Sequence, residues 1–164
     1  MIITAALLVK SMDLIFVFLL VLTDRVLKVL AERYLASGNV VVLIPKILGL
    51  KLLNGGNTGA AFGILSGQTG LLAMISLVFS VILLYCLVKK KFRNNWIRWS
   101  FILIASGAIG NLYDRMFVHS VTDYLMFLFV RFPIFNFADC LVDVGVAILV
   151  VYLLLSKEES IFEQ

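Results

Sequence analysis

The chain has 164 residues, 62% of them apolar and 15% charged, with a mean hydropathy of +1.08. That composition excludes an ordinary soluble domain and reads as a single integral membrane domain, residues 1–164. The formal net charge of +4 does not point to nucleic acid, because the cations cluster beside apolar stretches instead of forming a basic face with interleaved aromatics.

Four stretches approach the roughly 20 apolar residues that a membrane-crossing helix needs, at about 14–35, 71–88, 97–113 and 139–155. The beginning of the chain is apolar too, but Lys10 and Asp13 interrupt it and no small-residue cleavage site follows, so it is expected to be retained. Within the first span Asp24 and Lys28 stand four residues apart, the spacing of an intrahelical ion pair. Such a pair neutralises itself and can tie the span to its neighbours without any catalytic role; Arg25 lies off that face.

The next segment, about 36–70, carries VVVLI, then Pro45, then an apolar run to Leu53. A β-branched, proline-punctuated run of this kind predicts a short hairpin or small sheet whose apolar surface rests on the bilayer. NGGNTGAAFG follows, with enough glycine to allow close backbone approach. Between spans two and three, KKKFRNNWIR concentrates Lys89, Lys90, Lys91, Arg93 and Arg98, which makes this loop cytoplasmic. Four spans then put both termini inside and the loops of about 36–70 and 114–138 outside, where Pro45 and Pro133 both fall.

The third span ends in SGAIGNLYDR, where Gly107 and Gly110 permit close helix packing. Asn111 and Arg115 share a helical face and offer donors for a substrate carbonyl or a carboxylate, whereas Asp114 is expected to pair with a cation at the interface. Beyond Asp123, the segment 124–135 contains Arg131 and Pro133 and is too short to cross, so it must turn back at the outer interface. That return brings Asn136, Asp139 and Asp143 beside Asp123. A carboxylate at membrane depth costs roughly 2.5–3.5 kcal/mol to insert, which makes each of these acids a functional candidate. Two carboxylates held together share one proton, leaving a base and an acid, as in aspartic proteases. Asp123 and Asp139 are the candidate pair, with a proton or ion pathway and a structural polar cluster as the alternatives.

Other chemistries find less support. His119 is the single histidine, so a zinc-protease pair is absent, and Cys86 and Cys140 form no CxxC arrangement; no metal site is implied. Pairing Cys140 with His119 as a cysteine protease finds little support, because Cys140 lies about 100° around the helix from Asp139 and nothing evident in the sequence would activate its thiol.

Taken in order, these pieces resemble the lipoprotein signal peptidases (signal peptidase II) over nearly the whole chain. The resemblance rests on Asp24 and Lys28; on Asn57, Gly59, Ala60, Ala61 and Phe62; on GAIGNLYDR at 107–115; on Val121 and Asp123; and on Phe132, Pro133, Phe135, Asn136, Ala138, Asp139 and Gly145. It implies four transmembrane helices with an outer β-cradle, and Asp123 and Asp139 as a catalytic dyad. It implies that Asp24, Lys28, Asn57, Gly59, Asn111, Arg115 and Asn136 position the dyad or the substrate. It also implies a bacterial inner-membrane enzyme, without metal or cofactor, that cleaves lipid-modified prolipoproteins before the lipidated cysteine. Val142 replaces the family's usual isoleucine, and Asp143 is an additional acid one turn below Asp139, expected to stay protonated or to pair with a cation such as Lys28 or Arg115 and to support the site from below. The rival function is a small proton-coupled carrier with the acids as its relay, although they crowd one edge instead of spanning the membrane.

Overall fold

Four helices and a three-stranded antiparallel sheet make up the chain, described for residues 2–89, 92, 94–156 and 161–162 in a computed structural model. In chain order they are α1 (Ile2–Tyr34), β1 (Val41–Ile44), β2 (Leu48–Leu50), a 3-10 turn (Ala61–Gly63), α2 (Thr69–Lys89), α3 (Asn95–Phe117), β3 (Leu125–Phe127) and α4 (Phe137–Leu155). Lys90, Lys91 and Arg93 of the basic loop lie outside the described residues.

By length and composition, α2 and α4 are the helices apolar enough to cross a membrane among the described residues. Their outer faces expose Leu77, Val78, Phe79, Val81 and Ile82 on α2 and Val150, Val151 and Leu153–Leu155 on α4. α1 runs well beyond the stretch read as the first span. Asp13 does not end it, because its carboxylate is buried and accepts from Arg98 of α3 at 2.8 and 2.6 Å.

α3 is the central helix and packs against α1, α2 and α4. Ile102, Ile104 and Ala105 meet Val17 of α1 and Leu83 and Leu87 of α2 in the main apolar core. Toward α4 the approach is closer than side chains permit. A Cβ on Gly107 would strike the Ala138 carbonyl oxygen and Val142 Cγ2, and one on Gly145 would come within 2.9 Å of the Ser100 carbonyl oxygen. Gly107→Ala is therefore expected to push α3 and α4 apart, at roughly 1–3 kcal/mol of overpacking strain. Because Ala138 adjoins Asp139, a lowered melting temperature should come with reduced activity, both read on the purified protein.

The sheet is ordered β1-β2-β3. The hairpin read in the first loop forms, with Ile47 N–H donating to Ile44 O across the Pro45–Lys46 turn. Its third strand comes from the second loop, where β3 pairs with β2. The pairing continues past the sheet: Lys51 N–H donates to Tyr124 O, Leu53 N–H to Asp123 O, and Asn57 and Val121 exchange two bonds at 2.8 Å. On its other side the second loop folds back as the short segment required, with Leu125 and Phe135 exchanging bonds at 2.7 and 2.9 Å.

Candidate active site

Asp123 is fixed by backbone before any side chain contributes. Its own carbonyl is held by Leu53, its neighbour Tyr124 by Lys51 and Phe135, and Val121 by Asn57. Asp139 is fixed by a helix start. Asn136 caps α4, its Oδ1 accepting the Asp139 N–H at 3.0 Å while Asp139 Oδ2 accepts the Asn136 N–H at 3.0 Å, a reciprocal capping box.

The Asn136 side chain then joins the two acids, donating from Nδ2 to Asp123 Oδ1 at 2.6 Å. Asn57 Nδ2 donates to Asp123 Oδ2 at 2.9 Å, and Asn111 Nδ2 to Asp139 Oδ1 at 2.7 Å. Each of the four carboxylate oxygens thus accepts one protein donor, and each keeps a lone pair for a proton or a water.

An asparagine can present either its oxygen or its nitrogen, and here the choice is forced for all three. Asn57 Oδ1 accepts from Gly59 N–H, Asn136 Oδ1 from Asp139 N–H, and Asn111 Oδ1 from Lys28 Nζ at 2.9 Å. These partners can only donate, so every amide nitrogen is turned toward an acid.

Lys28 is fully buried and saturated. Besides Asn111 it reaches Asp24 Oδ2 and Asp114 Oδ2, each at 2.9 Å. Asp24 does not touch the pair; its Oδ1 accepts from Ala138 N–H and so ties α1 to the first turn of α4. Gly59 accepts Arg115 Nη2 at 3.3 Å through its carbonyl. Arg115 hydrogen-bonds to neither member of the pair but stands in the field of Asp139, Asp123 and Asp114, and its buried Nε has no partner among the described residues.

Sequence reasoning missed the clamp behind Asp123. Asp114 is fully buried, not interfacial: it binds Lys28 and Arg25 and accepts the Thr122 N–H, while the Thr122 hydroxyl donates to Glu32 at 2.7 Å. Arg25 reaches this network although it lies off the Asp24–Lys28 face. The pairing expected of Asp143 is corrected: it is exposed, Lys28 is fully committed elsewhere, and among the described residues Asp143 forms no ion pair with Arg115. Ala138, Leu141 and Gly145 form the buried face of α4, and at 100° per residue Asp143 projects roughly opposite to it.

Burial raises the Asp123 carboxyl, and the Asp139 charge raises it further, to about 6 against the opposing Asn136 and Asn57 donors. Burial is the larger cause, and the Asp139 charge adds the repulsion expected between two neighbouring carboxylates.

A family model described as Signal peptidase (SPase) II matches residues 16–155. A lipoprotein signal peptidase of Clostridium novyi is 34% identical over 146 residues, covering 87% of this chain and 97% of that protein. One from Desulfitobacterium hafniense is 41% identical over 138 residues, covering 84% and 89%. A bacterial membrane enzyme solved by the in meso method at 2.3 Å superposes with a TM-score of 0.80 at 28% identity, over 92% of this chain and 93% of that one.

Proposed function

The chain belongs to the signal peptidase II family, and on that premise we propose that it removes signal peptides from lipid-modified prolipoproteins by aspartyl-protease chemistry, with Asp123 and Asp139 as the catalytic pair. The observation that carries the reading is Asn136, whose one side chain and backbone N–H bond both carboxylates. Nothing observed favours a carrier.

Asp139 serves as base, because it sits at the N-terminus of α4, where helix N–H groups favour negative charge. Asp123 serves as acid, because burial and the Asp139 charge raise its carboxyl to about 6 and hold the proton there up to that pH. Asp139 takes a proton from water as the water oxygen attacks the carbonyl carbon before the lipidated cysteine, and Asp123 protonates the carbonyl oxygen. The tetrahedral intermediate collapses with cleavage of the C–N bond, the departing amine takes the proton held by Asp139, and the new carboxyl returns one to Asp123. Arg115, which donates to the Gly59 carbonyl and stands in the field of both acids, positions the pair or the substrate. Asp24, Lys28, Asn57, Gly59, Asn111 and Asn136 position the pair.

The whole chain, 1–164, forms one integral unit in this reading, with α1 and α3 crossing the bacterial inner membrane alongside α2 and α4. Pairing supports it: the Asp13–Arg98 bridge and the Asp24–Lys28–Asp114 cluster leave few uncompensated charges inside. Both termini are then cytoplasmic. A cysteine introduced at Asn94 should resist an impermeant thiol reagent in intact cells; rapid labelling would invert the topology.

The functional test is direct. Purified protein given a diacylglyceryl prolipopeptide should release the signal peptide and leave the lipidated cysteine as the new N-terminus, whereas proton-coupled transport without proteolysis would support the carrier. The pH dependence is also specified. Asp123 is the acid, so kcat/KM should fall as pH rises through about 6 and its proton is lost, by roughly tenfold between pH 6 and 7.5. A rate that climbs across that interval would reverse the roles of the two acids.

A further inference from the structure

Two cations remain at the far end of the sheet with no role in the site. Lys46 occupies the β1–β2 turn, and Arg131 lies in the turn after β3. The turns are joined, since Leu128 N–H donates to Ile47 O at 2.9 Å, so both cations belong to one tip. Both are exposed, and among the described residues neither has an ion pair.

The surface around them is apolar. Phe129 is 67% exposed, and Val41, Val42, Leu43 and Ile44 are each about half exposed. β1 is an edge strand showing apolar side chains on both faces, which in water would be a template for aggregation. Segments 36–70 and 118–135 contain one acid between them, Asp123, which is 1% exposed and faces the site. An apolar tip carrying two cations unpaired among the described residues, on two segments that expose no acid, is complementary to a lipid surface whose headgroups are negative.

We propose that this tip binds anionic phospholipid headgroups of the leaflet it rests on, Lys46 and Arg131 contacting the phosphates while Phe129, Val130 and β1 enter the acyl region. The inference rests on the sheet lying at the outer face. It adds a dependence of tip docking, and of the site attached to it through Lys51 and Tyr124, on the charge of that leaflet.

The test reconstitutes the full chain in vesicles of phosphatidylcholine alone or with increasing phosphatidylglycerol. An environment-sensitive fluorophore on Phe129→Cys, in a Cys86→Ala, Cys140→Ala background, reports tip insertion independently of cleavage, so the readout survives even if the protease reading fails. Insertion should rise with phosphatidylglycerol and fall with added salt. Lys46→Gln with Arg131→Gln should shift the phosphatidylglycerol requirement by about fivefold per cation, and the charge-preserving Lys46→Arg with Arg131→Lys should restore it. In cleavage assays the Gln variant should match the parent in phosphatidylcholine alone and lag in mixed vesicles. The proposal is overturned if insertion ignores phosphatidylglycerol or if the Gln variant responds as the parent does. It is equally overturned if the Gln variant loses cleavage in phosphatidylcholine alone, which would assign the cations to the substrate.

Discussion

Asp139→Asn and Asp123→Asn should each abolish cleavage in a protein that stays folded. Asparagine keeps the shape of the side chain but cannot titrate, so the pair loses its base in one variant and its proton donor in the other. Losses at a general acid or base are typically about a hundredfold to ten-thousandfold, and losing a member of a pair that works only as a pair belongs at the upper end. Asp143→Asn is the internal control: its carboxylate is exposed and outside the network, so activity should stay within a few-fold of the parent. Rates measured with a diacylglyceryl prolipopeptide, beside melting curves, decide it. A dead Asp143→Asn with an active Asp139→Asn would move the base one turn along α4.

Lys28→Met is expected to cause the largest loss of stability. The substitution leaves the Asp24 and Asp114 carboxylates, 1% and 0% exposed, without their shared cation. Breaking a buried pair from one side costs roughly 3–5 kcal/mol, because the surviving charge stays desolvated. Adding Asp24→Asn and Asp114→Asn should recover much of the melting temperature. It should not recover full activity, since Asn111 Oδ1 has then lost its closer donor and keeps the longer bond from Asn136 Nδ2 at 3.2 Å, which holds its nitrogen toward Asp139 less firmly. A Lys28→Met protein that melts like the parent would show that the cluster contributes little.

Local chemistry explains which features were legible beforehand. The hairpin announced itself through β-branched residues and Pro45, and the turn-back after Asp123 followed from a segment too short to cross; both are short-range constraints. β3 was hidden because Leu125–Phe127 has no strand pattern of its own beyond apolarity and becomes a strand only by pairing with β2, far away in sequence. Asp114 was hidden because its partners, Arg25 and Lys28, are on another helix. Asp143 misled because spacing of four residues places it near Asp139 around the helix, whereas the capping box folds the Asp139 side chain back over the helix end and leaves Asp143 pointing outward.

In the proposed mechanism water attacks the peptide bond directly, activated by an acid pair. Cleavage run with added hydroxylamine tests it without altering the protein. A covalent acyl-enzyme on Cys140 or on a serine would be intercepted, giving a signal peptide that ends in a hydroxamate. Only the free carboxylate is expected by mass spectrometry, at an unchanged rate, with the same result in the Cys86→Ala, Cys140→Ala variant. A hydroxamate product, or loss of turnover in that cysteine-free protein while it remains folded, would contradict it.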